Sequence, residues 1–92
     1  MQRIALNDRL TLSFEPFGKK VRLIVATKDQ ELACRKETIK NLLSFLKLGE
    51  TNIFKGRLQL NKHGEVIELN VKNKPIALVS SKDFEQILNN LQ

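Results

Sequence analysis

Tryptophan and tyrosine are absent from these 92 residues, and the five aromatic side chains are all phenylalanine. A surface that stacks several bases on exposed rings has little to draw on. Cysteine occurs once, at Cys34, which excludes an intramolecular disulfide. With no signal sequence in view, the expected setting is a reducing cytoplasm. The single histidine, His63, has no cysteine or acidic neighbour at ligand spacing. The patterns GxxxxGKS/T, GxGxxG, CxxC and HExxH are all missing, and no two carboxylates are paired for acid–base work. No enzyme, metal or cofactor is therefore expected. No apolar run approaches the roughly 18 residues that a membrane span requires.

What is plentiful is positive charge. Lys and Arg total 16 against 10 Asp and Glu, a formal charge of +6. The excess divides as +4 for residues 1–46 and +2 for residues 47–92, so neither half is a basic tail. Apolar residues make up 41% and charged residues 28%, the mixture of one folded domain. A chain this short has a small core, which dimerisation would enlarge.

The chain also reads as an internal repeat, residues 9–46 and 57–91. Both halves open on Arg-Leu-polar-Leu, at Arg9 and Arg57, and both then reach a glycine turn, Gly18 or Gly64. Alternating strands follow, Val21/Leu23/Val25 and Ile67/Leu69/Val71. Next come the triplets Leu32-Ala33-Cys34 and Ile76-Ala77-Leu78. The helices that close the halves space Ile39, Leu42, Leu43 and Leu46 like Phe84, Ile87, Leu88 and Leu91.

The period changes from two to 3.6 at Lys36, which predicts a first helix from there to Lys47. Gly49 stops that helix, and Ser80 or Ser81 caps the second. Residues 48–52 are the junction. The predicted fold is α+β, a duplicated βββα unit. Its antiparallel sheet or sheets total about six strands, with two amphipathic helices packed on one face.

Strands that bury one face leave the other to solvent or a partner. By parity the open face carries Arg9, Thr11, Ser13, Lys20, Arg22, Lys55, Arg57, Gln59, Asn61, Asn70 and Lys72, with Glu68 its only carboxylate. Lys19 and Lys62 sit at the hairpin tips. Such a face suits a polyanion, because each Lys or Arg on a phosphate releases counterions. The plain alternative is that these cations only keep exposed strands soluble. Phe14, Phe45, Phe54 and Phe84 read as core, which leaves Phe17, at the first hairpin tip, either to stack on a base or to fold back. Cys34 reads as a small buried hydrophobe, a reactive thiol being the alternative.

The run GEVIELNVKNKPIALVSSKDFEQILNNL, from Gly64 to Leu91, is a hairpin, a strand and an amphipathic helix opened by Ser-Ser-Lys-Asp-Phe-Glu. It resembles the single-stranded-DNA-binding transcriptional regulators: the positive coactivator, Whirly and Pur proteins. Members have four strands per helix. Three are clear here, unless Ile4-Ala5-Leu6 and Thr51–Phe54 supply the fourth. The resemblance implies nucleic acid crossing the open sheet face, and a pseudo-dimer within one chain. A second stretch, Lys74-Pro75-Ile76-Ala77-Leu78-Val79-Ser80 followed by Asp83-Phe84-Glu85, is similar to a segment of the Phd/YefM antitoxins. Their DNA-binding N-terminal segment has no visible counterpart.

The expected function is non-enzymatic binding of nucleic acid, single-stranded DNA or RNA in preference, in transcription regulation or genome maintenance. Arg9, Lys19, Lys20, Arg22, Lys55, Arg57, Lys62 and Lys72 are the expected phosphate contacts, with Phe17 the stacker. A homodimer or higher homo-oligomer is expected. The alternative function is a protein-interaction or assembly module that docks an acidic partner or a second copy.

Overall fold

Two glycine-tipped hairpins organise the chain. Gly18 and Gly64 both have φ of +63°, a conformation in which a Cβ would be strained. The computed structural model describes residues 2–91. Its first sheet has the order β1 (Gln2–Ala5), β2 (Thr11–Phe17), β3 (Lys20–Ala26) and β4 (Glu31–Thr38), followed by helix α1 (Ile39–Leu46). The second has the order β5 (Glu50–Ile53), β6 (Leu58–His63), β7 (Val66–Val71) and β8 (Lys74–Ser80), followed by α2 (Ser81–Asn90). All neighbouring strands are antiparallel.

The architecture is α+β as expected, but with eight strands in two sheets in place of about six. The two additions, β1 and β5, are four-residue edge strands. Each pairs on one side only, and Glu50-Thr51-Asn52-Ile53 has almost no apolar alternation to announce it. Part of the expected junction, residues 48–52, is therefore strand. The first helix also starts later than the period indicated, because β4 continues through Lys36, Glu37 and Thr38. Thr38 is the cap that decides this: its Oγ1 accepts from the Asn41 amide at 3.1 Å. Ser80 caps α2 in the same way, accepting from the Asp83 amide at 3.3 Å. Counted from these caps, Leu42 matches Phe84 and Leu46 matches Leu88. Ile39 and Phe84, set side by side in the sequence reading, lie three residues apart when counted this way.

The inner faces are built from apolar rows that cross each sheet. Ile4, Leu12, Val25 and Ala33 are aligned in the first, and Ile53, Leu60, Leu69 and Ala77 in the second. Helix α1 buries Ile39, Leu42, Phe45 and Leu46 against this material, and α2 buries Phe84 and Leu88. The buried residues of both halves form one cluster. Its most telling contact joins the halves: Phe84 of α2 meets Phe14 of β2 edge to face, centroids 5.0 Å apart. Both rings are fully buried. Truncation of a buried Phe costs about 3–5 kcal/mol, and here the loss falls on the contact between the halves. Phe84→Ala is therefore expected to lower the unfolding free energy by about that amount, as one cooperative urea transition read by circular dichroism.

Candidate nucleic-acid interface

The first sheet turns Arg3, Ser13, Ile24 and Cys34 outward in one row, and Glu15, Arg22 and Lys36 in the next. A third row holds Phe17, Lys20 and Thr38. Thr11 lies on the same face beyond Ser13, opposite Ala5 and Ala26. Of the expected contacts, Phe17, Lys20 and Arg22 share this face, Lys19 stands in the turn beside Lys20, and Arg9 lies in the turn that enters β2. Asn7 holds that turn, its Oδ1 accepting from the amides of Arg9 at 2.8 Å and Leu10 at 2.9 Å.

Arg22 differs from its neighbours. It sits between two carboxylates, 3.8 Å from Glu15 and 3.3 Å from Glu31, and its Nη2 donates to the Cys34 sulfur at 3.7 Å. The Cys34 sulfur first, and the two carboxylates after it, hold the guanidinium pKa above its ordinary value. Arg22 is a fixed cation already partnered by protein. The expectation of Glu68 as the only carboxylate on the open face fails at Glu15 and Glu31, which flank Arg22 on it. Phe17 is 56% exposed, and the Lys36 ammonium lies 4.6 Å from its ring centroid. That is a cation–π pair at one end of the face.

Cys34 is a correction. It is exposed, since the inner position of its strand belongs to Ala33. An apolar triplet does not disclose which of its members points inward.

The second sheet does not repeat the basic face. Its outer rows are Glu50, His63, Val66 and Ser80, then Asn52, Asn61, Glu68 and Leu78, with no Lys or Arg among them. His63 Nδ1 lies 2.9 Å from Glu50 Oε2 across the β5–β6 pair, a partner that sequence spacing does not disclose because it depends on the register of that pair. Lys55 and Arg57 lie in the β5–β6 connection, and Lys72 lies in the β7–β8 turn. Arg57, Lys72 and Lys74 line a cleft of about 260 Å³ that Gln30, Glu31 and Leu32 of the first half also line.

Lys62 is not at a hairpin tip. It is 5% exposed on the inner face of β6, and its ammonium donates to the Leu48 carbonyl at 2.7 Å and the Gly64 carbonyl at 2.6 Å. There it straps the inter-half connection to the second hairpin. Its neighbour in expectation, Asn70, is also buried, at 7% exposure with Oδ1 unpartnered. It stands opposite Gln59 of β6, in step with the outward row, beside the register shift that follows Leu69 against β8, so it is buried without a reversal of parity.

Reading by parity missed Arg3, Lys28 and Lys36. Arg3 lies just before the segment Ile4-Ala5-Leu6 offered as a strand, within β1, and Lys36 in a segment read as helix. Among the described residues no three His, Cys, Asp or Glu side chains gather as metal ligands, and no helix is long and apolar enough to cross a membrane. Compared with protein-family models, curated proteins and solved structures, the chain matches none.

The exposed thiol offers a direct probe of this face. Cys34 is expected to react with a thiol reagent in the folded protein at close to the rate of the unfolded chain. A saturating single-stranded oligonucleotide is expected to slow that reaction, as followed by mass spectrometry.

Proposed function

We propose that this chain is a non-enzymatic nucleic-acid-binding protein that takes single-stranded DNA or RNA across the outer face of its first sheet, in transcription regulation or genome maintenance. One observation carries the reading. Among the described residues, Arg22 is the only Lys or Arg whose nitrogen lies within 4.0 Å of a carboxylate. The remaining cations of the face, Arg3, Lys20 and Lys36, are unspent on ion pairs, and so are Lys19 and Arg9 at its ends. Each is free to exchange its counterions for a phosphate. Thr11, Ser13 and Thr38 add neutral donors beside them. With only Phe17 exposed for stacking, affinity rests on charge.

The order of elements supports the same reading. Four strands and then a helix, twice over, is the composition that resemblance to the positive coactivator, Whirly and Pur proteins asks of each unit. We read the halves as copies of one unit. In both, the first helical amide bonds back to the glycine hairpin: Ile39 N to Lys19 O at 3.1 Å, Ser81 N to Glu65 O at 2.8 Å. In this reading the copies have diverged on their outer faces, and the first alone keeps its cations.

A second reading, an assembly module that docks another copy of the chain, is favoured by one feature. Leu78 and Val66, 66% and 39% exposed, stand on the outer face of the second sheet.

A salt titration separates the readings. For nucleic-acid binding, log K for a single-stranded oligonucleotide falls linearly with log[salt]. The double variant Lys20→Gln/Lys36→Gln reduces the slope by about 1.4, roughly 0.7 for each lost cation. Arg22→Gln changes it less, because Arg22 is already paired. No binding to single strands, duplex or RNA at about 50 mM salt overturns the proposal and leaves the assembly module.

A further inference from the structure

At the far end of the same outer face, away from Phe17, is a cleft of about 440 Å³. That lies within the roughly 300–1,000 Å³ usual for sites that hold small groups. Three elements bring cations to it: Arg3 from β1, Arg9 from the β1–β2 turn and Lys28 from the β3–β4 turn. Thr11 and Ser13 of β2 also line it, and Asp8 is its one acid.

Three like charges around one cleft raise the energy of the folded state unless an anion joins them. None of the three has a carboxylate within 4.0 Å, Asp8 included, among the described residues. The turns that present them are nonetheless held in place. Asn7 fixes the backbone at Arg9. Thr27 Oγ1 accepts from the amides of Asp29 at 3.3 Å and Gln30 at 3.0 Å, and the Thr27 amide donates to Gln30 O at 2.8 Å. Lys28 is thus carried on a closed turn. Two planar guanidinium forks, one ammonium and two hydroxyls suit the tetrahedral oxygens of a phosphate.

We infer that this cleft is a phosphate-binding site. Resting on the function proposed above, it seats one backbone phosphate of the bound strand and anchors that strand at the β1 end of the face. Arg3 and Arg9 supply the bidentate contacts, Lys28 the remaining charge, and Thr11 and Ser13 orient the oxygens. Asp8 weakens the site by opposing the incoming charge.

The test compares variants of equal charge. Arg9→Gln/Lys28→Gln is expected to lose on the order of tenfold in affinity for a single-stranded oligonucleotide. Lys40→Gln/Lys82→Gln, which removes the same charge from the helices, is expected to stay within about twofold because it leaves the phosphate contacts in place. Asp8→Asn is expected to tighten binding about two- to fivefold, and Glu85→Gln on α2 to leave it unchanged. Equal losses in the two double variants, or none in either, overturn the cleft while the function stands.

If no oligonucleotide binds, the function falls and the cleft is judged on small probes. Inorganic phosphate or a nucleoside monophosphate that shifts the Thr11 and Ser13 amide resonances in the parent protein, but not in Arg9→Gln/Lys28→Gln, upholds the site. Absence of those shifts, or their persistence in the variant, rejects it.

Discussion

The structure depends on one requirement: each sheet has an apolar inner face too large for its own helix to cover. The first sheet alone offers Leu12, Phe14, Val21, Leu23 and Val25, all with no exposed surface, against an eight-residue helix. The deficit is met from the other half, where α2 places Phe84 against Phe14. Burial of this kind is the main favourable term in a small fold. Sharing it makes the stability of either sheet a property of both. Lys62 serves the same end with polar chemistry, tying the connection at Leu48 to the Gly64 hairpin.

Once both inner faces are committed to one core, function is left to the outer faces, and these differ. The first presents Arg3, Lys20 and Lys36 around a centre of net negative charge, where Arg22 lies between Glu15 and Glu31. The second presents Glu50 and Glu68 with exposed Val66 and Leu78. The bulk charge of +6 hides this asymmetry. In the proposed account this acidic centre has a use: it divides the attractive potential between the Phe17 end and the Arg3–Arg9–Lys28 end, so a strand is held at two points along β2.

Much of this was legible in the sequence, and the failures have physical causes. Alternation at Leu10–Phe14, Val21–Val25, Leu58–Leu60 and Ile67–Val71 located four strands, because a half-buried strand must alternate. The final strand and helix were legible from Ile76 to Leu91 for the same reason, joined to a serine cap. Strands β1 and β5 were legible only as the optional fourth strands Ile4-Ala5-Leu6 and Thr51–Phe54, because a four-residue edge strand is too short for its alternation to stand out. The boundary at Thr38 was missed because Lys36 and Glu37 suit a helix as well as a strand, and only the cap decides. Cys34 and Lys62 were misplaced for a shared reason. Parity fixes a face only where the strand's limits and bulges are known. Those errors altered the candidate site more than the fold, since an interface is defined by which way a few side chains point.

The central claim is that the outer face of the first sheet, and not that of the second, is the binding surface. Amide chemical-shift mapping of the isotope-labelled protein with a single-stranded oligonucleotide tests it most directly. The account predicts shifts at Arg3, Thr11, Ser13, Ile24, Cys34 and Lys36, with Asn61, Glu68 and Leu78 unmoved. Shifts confined to the second sheet, or none on either face at low salt, would contradict it.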